Sequence, residues 1–306
     1  MKVLVATEKP FAKAAVDGIK SIVEKNGHEL ALLEKYTDAS QLIAAVADAD
    51  ALIVRSDKVT ADVVAAAKKL KIVVRAGAGY DNLDLAACTA ANVVAMNTPG
   101  QNSNAVAELA IGLMIYMSRN QFTPGTGKEL KGKTIGIHAY GNVGRLVAQI
   151  AKNGFGMNVI AFDPFVPAEK LEAEGVKACA SIEELYANCD FLSLHIPATE
   201  QTKGSIGKKL VGSMKKGAIL INTARKEVID EAGLIELMAE RTDLKYITDI
   251  KPDADAEFAK FEGRYFSTPK KMGAQTAEAN TNAGLAAANQ IVGYIKDGIT
   301  KFQVNK

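Results

Sequence analysis

The hexapeptide Ala139-Tyr140-Gly141-Asn142-Val143-Gly144 follows an apolar run, Thr134-Ile135-Gly136-Ile137-His138, and opens a helical pattern through Lys152. This is G-x-G-x-x-G spacing with alanine at the first glycine. Gly141 lets the backbone approach a pyrophosphate, and Gly144 lets the helix pack closely on the strand. Free N–H groups and the positive dipole end of that helix then face the phosphates. Ala139 departs from the pattern, because its Cβ crowds the tight turn. A second strand pattern ends in Asp163, 19 residues beyond Gly144. An acid about 20 residues on accepts hydrogen bonds from ribose hydroxyls in such units. Pro164-Phe165-Val166 follow, with no arginine for a 2′-phosphate, so NAD is expected rather than NADP. The expected cofactor contacts here are Tyr140, Gly141, Asn142, Val143 and Asp163. The bland alternative for Asp163 is a cap on the next helix. His138, on a buried strand, reads as structural.

A chain of 306 residues has room for about two domains. Its 48% hydrophobic content and 8 prolines favour buried cores over disorder. With 37 basic and 35 acidic residues, no nucleic-acid or membrane surface is indicated. Cys88, Cys179 and Cys189 lie far apart without metal-ligand spacing, so they read as buried thiols in a reducing cytosol. No signal peptide or spanning run is read, and a cytoplasmic protein is expected. Apolar runs at 2–6, 51–54, 71–74 and 93–96 read as buried parallel strands. Between them lie helical patterns such as 12–23, where Ala15, Ile19, Ile22 and Val23 share a face. The pattern restarts after residue 98 with a helix over 104–117. Strands at 134–138, 157–162, 190–194, 217–221 and 244–248 follow. The expectation is α/β, with two doubly wound parallel-sheet domains of Rossmann or flavodoxin type. Their boundaries are 1–98 plus 277–306, and 99–276.

Five further stretches carry a resemblance. They are Arg75-Ala76-Gly77-Ala78-Gly79-Tyr80-Asp81-Asn82-Leu83-Asp84, Asn97-Thr98-Pro99-Gly100-Gln101-Asn102-Ser103 leading to Ala107-Glu108, and Leu194-His195-Ile196-Pro197-Ala198-Thr199-Glu200-Gln201-Thr202. The other two are Ile221-Asn222-Thr223-Ala224-Arg225 and the segment from Thr268 to Thr276. Together with the dinucleotide unit they resemble the D-2-hydroxyacid dehydrogenases over nearly the whole chain. The chain is similar in particular to their short-form phosphoglycerate dehydrogenase branch. The resemblance implies roles. Arg225 clamps the substrate carboxylate and polarises the carbonyl, which suits a guanidinium fork. Backbone N–H groups around Gly77, Ala78 and Gly79 hold the same carboxylate, with Asn102 nearby. Asp249 places the nicotinamide amide, and His195, Pro197, Thr202, Thr223, Ala224 and Gly273 line the cofactor. Val54-Arg55-Ser56 and Arg75 reach a 3-phosphate. The first, 1–98 plus 277–306, becomes the substrate-binding domain, and 99–276 the NAD-binding domain. A homodimer and the entry step to serine are implied as well.

The pattern breaks at one point. The family motif Thr-Pro-His-x-Gly-Ala-Gln-Thr carries the general acid/base histidine. This chain has Thr268-Pro269-Lys270-Lys271-Met272-Gly273 instead, with one residue inserted. The family's partner glutamate, counted five residues from Asp249, falls on Ala254. The two losses fit together. A histidine needs a carboxylate to fix its tautomer, and a lysine has no tautomer. A lysine amine, with an ordinary pKa of ~10.4, is charged at neutral pH and donates a proton in the reductive direction. Cationic neighbours favour the neutral form that oxidation needs. Asp253, Asp255 and Glu257 are near in sequence and would oppose them. Counting from Pro269 selects Lys270, and counting back from Gly273 selects Lys271. The rigid proline favours Lys270. The expected reaction is NAD-dependent oxidation of D-3-phosphoglycerate to 3-phosphohydroxypyruvate. The alternatives are reduction of glyoxylate, hydroxypyruvate or another 2-oxoacid, and a non-catalytic NAD-sensing protein. The stretch 118–133 is short, which bears on dimer geometry. No regulatory domain follows the last helix, so feedback by serine through one is not expected.

Overall fold

The computed structural model describes residues 1–305. Lys306, the last residue of the expected 277–306 segment, lies outside the described residues. The chain forms two compact units, Met1–Asn102 with Gln275–Lys306, and Ser103–Ala274.

The first unit holds a five-stranded parallel sheet of β1 (Lys2–Thr7), β2 (Glu29–Glu34), β3 (Ala51–Val54), β4 (Ile72–Arg75) and β5 (Val94–Asn97). Its order is β2-β1-β3-β4-β5, the flavodoxin-like order. The central strands are covered on both faces, so they are nearly all apolar. Val3, Val5, Leu52, Ile53, Val73 and Val74 are buried. The helix Lys13–Lys25 buries Ala15, Ile19 and Val23 as the sequence period predicts, and Ile22 packs at the margin of the same core. The helix Ala277–Asp297 packs beside it, burying Ala283, Ala287, Ala288 and Ile291.

The second unit has seven parallel strands. They are β6 (Thr134–His138), β7 (Asn158–Phe162), β8 (Lys177–Ala178), β9 (Phe191–Leu194), β10 (Ile219–Asn222), β11 (Lys245–Thr248) and β12 (Tyr265–Ser267). The order is β12-β11-β10-β9-β6-β7-β8. The chain therefore reverses direction across the sheet between β6 and β9, the switch point at which doubly wound sheets bind ligands. The helices Ser103–Ser118 and Asn142–Phe155 cover one face through Ala107, Met114, Val147 and Ala151. Cys88, Cys179 and Cys189 are all buried free thiols.

Three strands go beyond the sequence reading: β2, β8 and β12. The short stretch after residue 118 also holds a turn that the sequence did not suggest. Asn120, Gln121 and Phe122 have φ of 52°, 57° and 58°, each a left-handed conformation that costs a non-glycine residue about 1–2 kcal/mol. Side chains hold it. Asn120 donates to Thr126 O at 3.1 Å, and Gln121 donates to Tyr265 O at 2.9 Å.

Candidate active site

The ends of six adjacent strands in the second unit carry most of the expected residues. Reading across the carboxyl edge, β12 leads to Lys270, β11 to Asp249, β10 to Thr223, Ala224 and Arg225, β9 to His195, β6 to Tyr140 and Gly141, and β7 to Asp163. Parallel pairing in register sets this order: Asn222 pairs with both Thr248 and Leu194, and His138 pairs with Leu194 and Phe162.

At the nucleotide end, Ala139 has φ +77°. It takes the conformation that the motif's first glycine would take without strain. A Cβ on Gly144 would lie 2.2 Å from Ala139 O and 2.9 Å from Ile137 Cγ2, so only glycine allows this helix so close to the strand. A Cβ on Gly141 would meet nothing within 4 Å. Gly141 caps the helix Asn142–Phe155 with no side-chain hydrogen bond, which leaves first-turn N–H groups to a phosphate. Asp163 Oδ2 accepts from Tyr140 N at 2.7 Å, and Oδ1 accepts from Phe165 N at 2.8 Å. It ties the loop after β6 to the end of β7 and does not cap a helix. A carboxylate accepts about four hydrogen bonds, so acceptor capacity remains for ribose hydroxyls. The Tyr140 hydroxyl donates to Glu174 at 2.9 Å, and Arg145 pairs with the same carboxylate at 2.6 Å. Tyr140 itself is buried, so its backbone faces the loop while its ring anchors it.

Farther along the edge, His195 Nε2 lies 2.9 Å from Ser193 Oγ, and His138 Nδ1 lies 3.1 Å from Tyr186 Oη. Burial pushes His138 down to about 4, opposed by Asp163. Burial, with His138 adding to it, takes His195 down to about 3. Both imidazoles are neutral at ordinary pH. Thr202 accepts from Thr199 N at 2.7 Å and donates to Pro197 O at 2.5 Å, which shapes the loop after β9. Thr223 Oγ1 is buried without a hydrogen-bond partner. A buried orphan hydroxyl is costly unless something meets it, and it sits among the positions expected to line NAD. The open Gly141, the uncapped helix and this hydroxyl together fit a dinucleotide.

Asn222, fully buried, builds the turn that presents Arg225. Its Oδ1 accepts from Ala224 N at 3.0 Å and its Nδ2 donates to Arg225 O at 2.9 Å. The Arg225 side chain is exposed, with one donor on Ala224 O. Asp249 is also fully buried. Its carboxylate accepts from Thr268 Oγ1, Met272 N and Gly273 N at 3.0, 2.8 and 2.7 Å. Lys270 and Lys271 are exposed on the loop between these anchors. The three acids near in sequence are engaged elsewhere. Asp253 pairs with Lys226, Asp255 pairs with Lys251 and Tyr265, and Glu257 pairs with Lys260. Asn222, Thr268 and Met272 were not singled out as functional from the sequence. All three lie inside motifs that carried the resemblance, Asn222 beside Thr223 to Arg225, and Thr268 and Met272 on either side of the lysines.

In the first unit the expected substrate residues follow β3 and β4. Arg55 Nη1 donates to Lys9 O at 2.8 Å and Pro10 O at 3.1 Å, and Nη2 donates to Asn280 Oδ1 at 2.5 Å. Its guanidinium lies 5.1 Å from the Phe11 ring centre. Three of its five donors thus hold the chain in place. Arg75 Nε donates to Arg55 O at 3.0 Å. Its guanidinium lies over Gly77, where φ is +155° and a Cβ would come within 1.5 Å of Nη1. Asn97 holds the same loop through Ala78 O at 2.6 Å. Ser56 and Ala78 are exposed, and Gly79 and Asn102 are half-buried.

Comparison with known proteins identifies the family. Residues 110–264 match the family described as D-isomer specific 2-hydroxyacid dehydrogenase, NAD binding domain. A D-3-phosphoglycerate dehydrogenase of Methanocaldococcus jannaschii is 38% identical over 282 residues, which is 87% of this chain and 53% of that protein. The chain therefore spans about half the length of such curated relatives. A hydroxypyruvate reductase of Thermotoga maritima is 36% identical over 87% of this chain and 91% of its own length. The crystal structure of an NAD+-bound 3-phosphoglycerate dehydrogenase from Entamoeba histolytica is 51% identical. It covers 100% of this chain and 99% of its own, with a TM-score of 0.87. Among the described residues, no helix is long and apolar enough to cross a membrane. On these matches the chain belongs to the D-isomer specific 2-hydroxyacid dehydrogenases, with NAD as cofactor.

Proposed function

We propose that the protein oxidises D-3-phosphoglycerate to 3-phosphohydroxypyruvate, the entry step to serine, with Lys270 as general acid/base. The observation that carries this reading is the neighbourhood of Arg225 and the lysine loop. They follow β10 and β12, the two strands on either side of β11. Bound NAD supplies the hydride acceptor. Arg225 holds the substrate carboxylate and polarises the carbon–oxygen bond that is being oxidised. Neutral Lys270 accepts the hydroxyl proton, and protonated Lys270 returns it in the reverse direction. Asp163 selects NAD by bonding ribose hydroxyls and repelling a 2′-phosphate. Arg55, Arg75 and the backbone of Gly77 to Gly79 favour a phosphorylated hydroxyacid. A cytoplasmic homodimer is part of the same reading.

One observation favours a second reading, reduction of an unphosphorylated 2-oxoacid such as hydroxypyruvate. Arg55 commits three donors to Lys9, Pro10 and Asn280, which leaves fewer for a phosphate. The test follows NADH by absorbance with the pure protein. NADH formed from NAD and 3-phosphoglycerate supports the first reading. NADH consumed with hydroxypyruvate, and none formed from 3-phosphoglycerate, supports the second. Neither activity, with NAD still bound, leaves a cofactor-sensing protein.

A further inference from the structure

We propose that Asp249 is a positioning residue for the lysine pair, acting on the reaction through the loop backbone that its buried carboxylate clasps. This rests on the reading that Lys270 exchanges the proton. Three donors reach the carboxylate from both ends of one loop: Thr268 Oγ1 before the lysines, and Met272 N and Gly273 N after them. Only Pro269, Lys270 and Lys271 lie between. The carboxylate is itself fixed, because Asp249 N donates to Asn222 O at 3.0 Å and Thr268 N donates to Thr248 O at 3.0 Å. The approach is tight. A Cβ on Gly273 would lie 3.0 Å from Asp249 Oδ2 and 3.2 Å from Val106 Cγ2. Glycine at 273 lets its N–H reach the carboxylate.

The chemistry explains why backbone placement matters here. A histidine base can be oriented by a carboxylate on its second ring nitrogen. A lysine amine ends a flexible four-carbon stem and has no second nitrogen to hold. Fixing the loop limits where the amine goes by anchoring the base of that stem. The carboxylate has capacity for about four hydrogen bonds, and the clasp uses three of them inside a site closed to solvent.

The test is Asp249→Asn, whose amide nitrogen cannot accept an N–H. The first readout needs no activity: trypsin cleavage after Lys270 and Lys271 in the native, NAD-free protein, with fragments identified by mass. Cleavage there is expected to rise tenfold or more, with other sites unchanged. The second readout is oxidative turnover of 3-phosphoglycerate, expected to fall about tenfold to a hundredfold, the scale of a 1 Å misplacement. In a Lys270→Ala background the same change should cost less than threefold, because both act on one step. Unchanged cleavage overturns the clasp. So does a raised NAD dissociation constant with losses that multiply, which would make Asp249 a cofactor ligand only. If Lys270→Ala keeps full activity, the acid/base reading fails, and the cleavage result still decides the clasp. Should Asp249→Asn not fold, Thr268→Val removes one donor, and its cleavage should rise about twofold to fivefold.

Discussion

Gly141→Ala should separate nucleotide binding from folding. The added methyl meets no protein atom within 4 Å, and Gly141 has φ −79°, which alanine adopts freely. Without NAD, stability should therefore change by less than about 1 kcal/mol, roughly 2–4 °C in Tm for a unit of this size. If a pyrophosphate approaches this glycine as the motif implies, the methyl stands in its way. Overpacking by a methyl costs about 1–3 kcal/mol, which is roughly a 5- to 150-fold loss of affinity. The assay is thermal unfolding over an NAD series. At 100 times the wild-type dissociation constant, NAD stabilises the wild type by about 2.7 kcal/mol. A 30-fold weaker variant retains about 0.9 kcal/mol of this by the same mass-action relation. An NAD-induced shift equal to wild type would refute the idea that phosphates approach this glycine. A large fall in Tm without NAD would show that the methyl meets protein after all.

Four other outcomes are expected. Ala139→Gly should stabilise the protein by about 0.5–1 kcal/mol, since relief of a left-handed alanine outweighs the added chain entropy; a lower Tm would contradict the strain at φ +77°. Asp163→Ala should raise the KM for NAD and narrow the gap to NADP, and equal use of both cofactors by the wild type would remove the assignment. Because His138 and His195 are depressed to about 4 and about 3, the unfolded chain takes up protons below its ordinary value of about 6.5 while the fold does not. Stability should then hold above that pH and fall as pH drops toward 4. His138→Gln should lessen the fall in urea midpoint between pH 7.5 and 5, and a variant that loses as much as wild type would refute burial as the cause. Lys270→Ala should cost about 10²–10⁴-fold in oxidative kcat/KM while NAD still binds; a milder loss than Lys271→Ala would move the role one residue along.

The parts of the fold that were legible are those buried on both faces. β3, β4 and β10 are short runs of aliphatic residues because helices cover them. Glu29–Glu34 was missed because it pairs on one side only, with β1. Its sequence, with two glutamates and an alanine, carries little strand propensity. β12 was missed because it has three residues and is only half-buried. The site divides in the same way. Gly144 and Asp163 are spaced by one local unit, so their roles could be counted. Asp249 and Gly273 are 24 residues apart, and Arg55 and Asn280 are 225 apart. No local pattern marks such pairs.

Chain order also hides the layout of the site. Along the sequence, Tyr140 and Asp163 come first, followed by His195, Arg225, Asp249 and Lys270. In the sheet the crossover from β8 back to β9 places the later strands on the other side of β6. Asp163 consequently lies toward one edge and Lys270 toward the other, with the glycine loop and Arg225 between. A cofactor that places its adenosine at Asp163 then runs along the edge toward Arg225 and the lysine loop. The glycine spacing alone specifies one end of that path. The other end depends on strand pairing of β10, β11 and β12, whose register brings Asn222, Thr248 and the Asp249 clasp together. Long-range backbone pairing therefore sets where the lysine pair stands, and that is why its place could be inferred by resemblance but not by spacing.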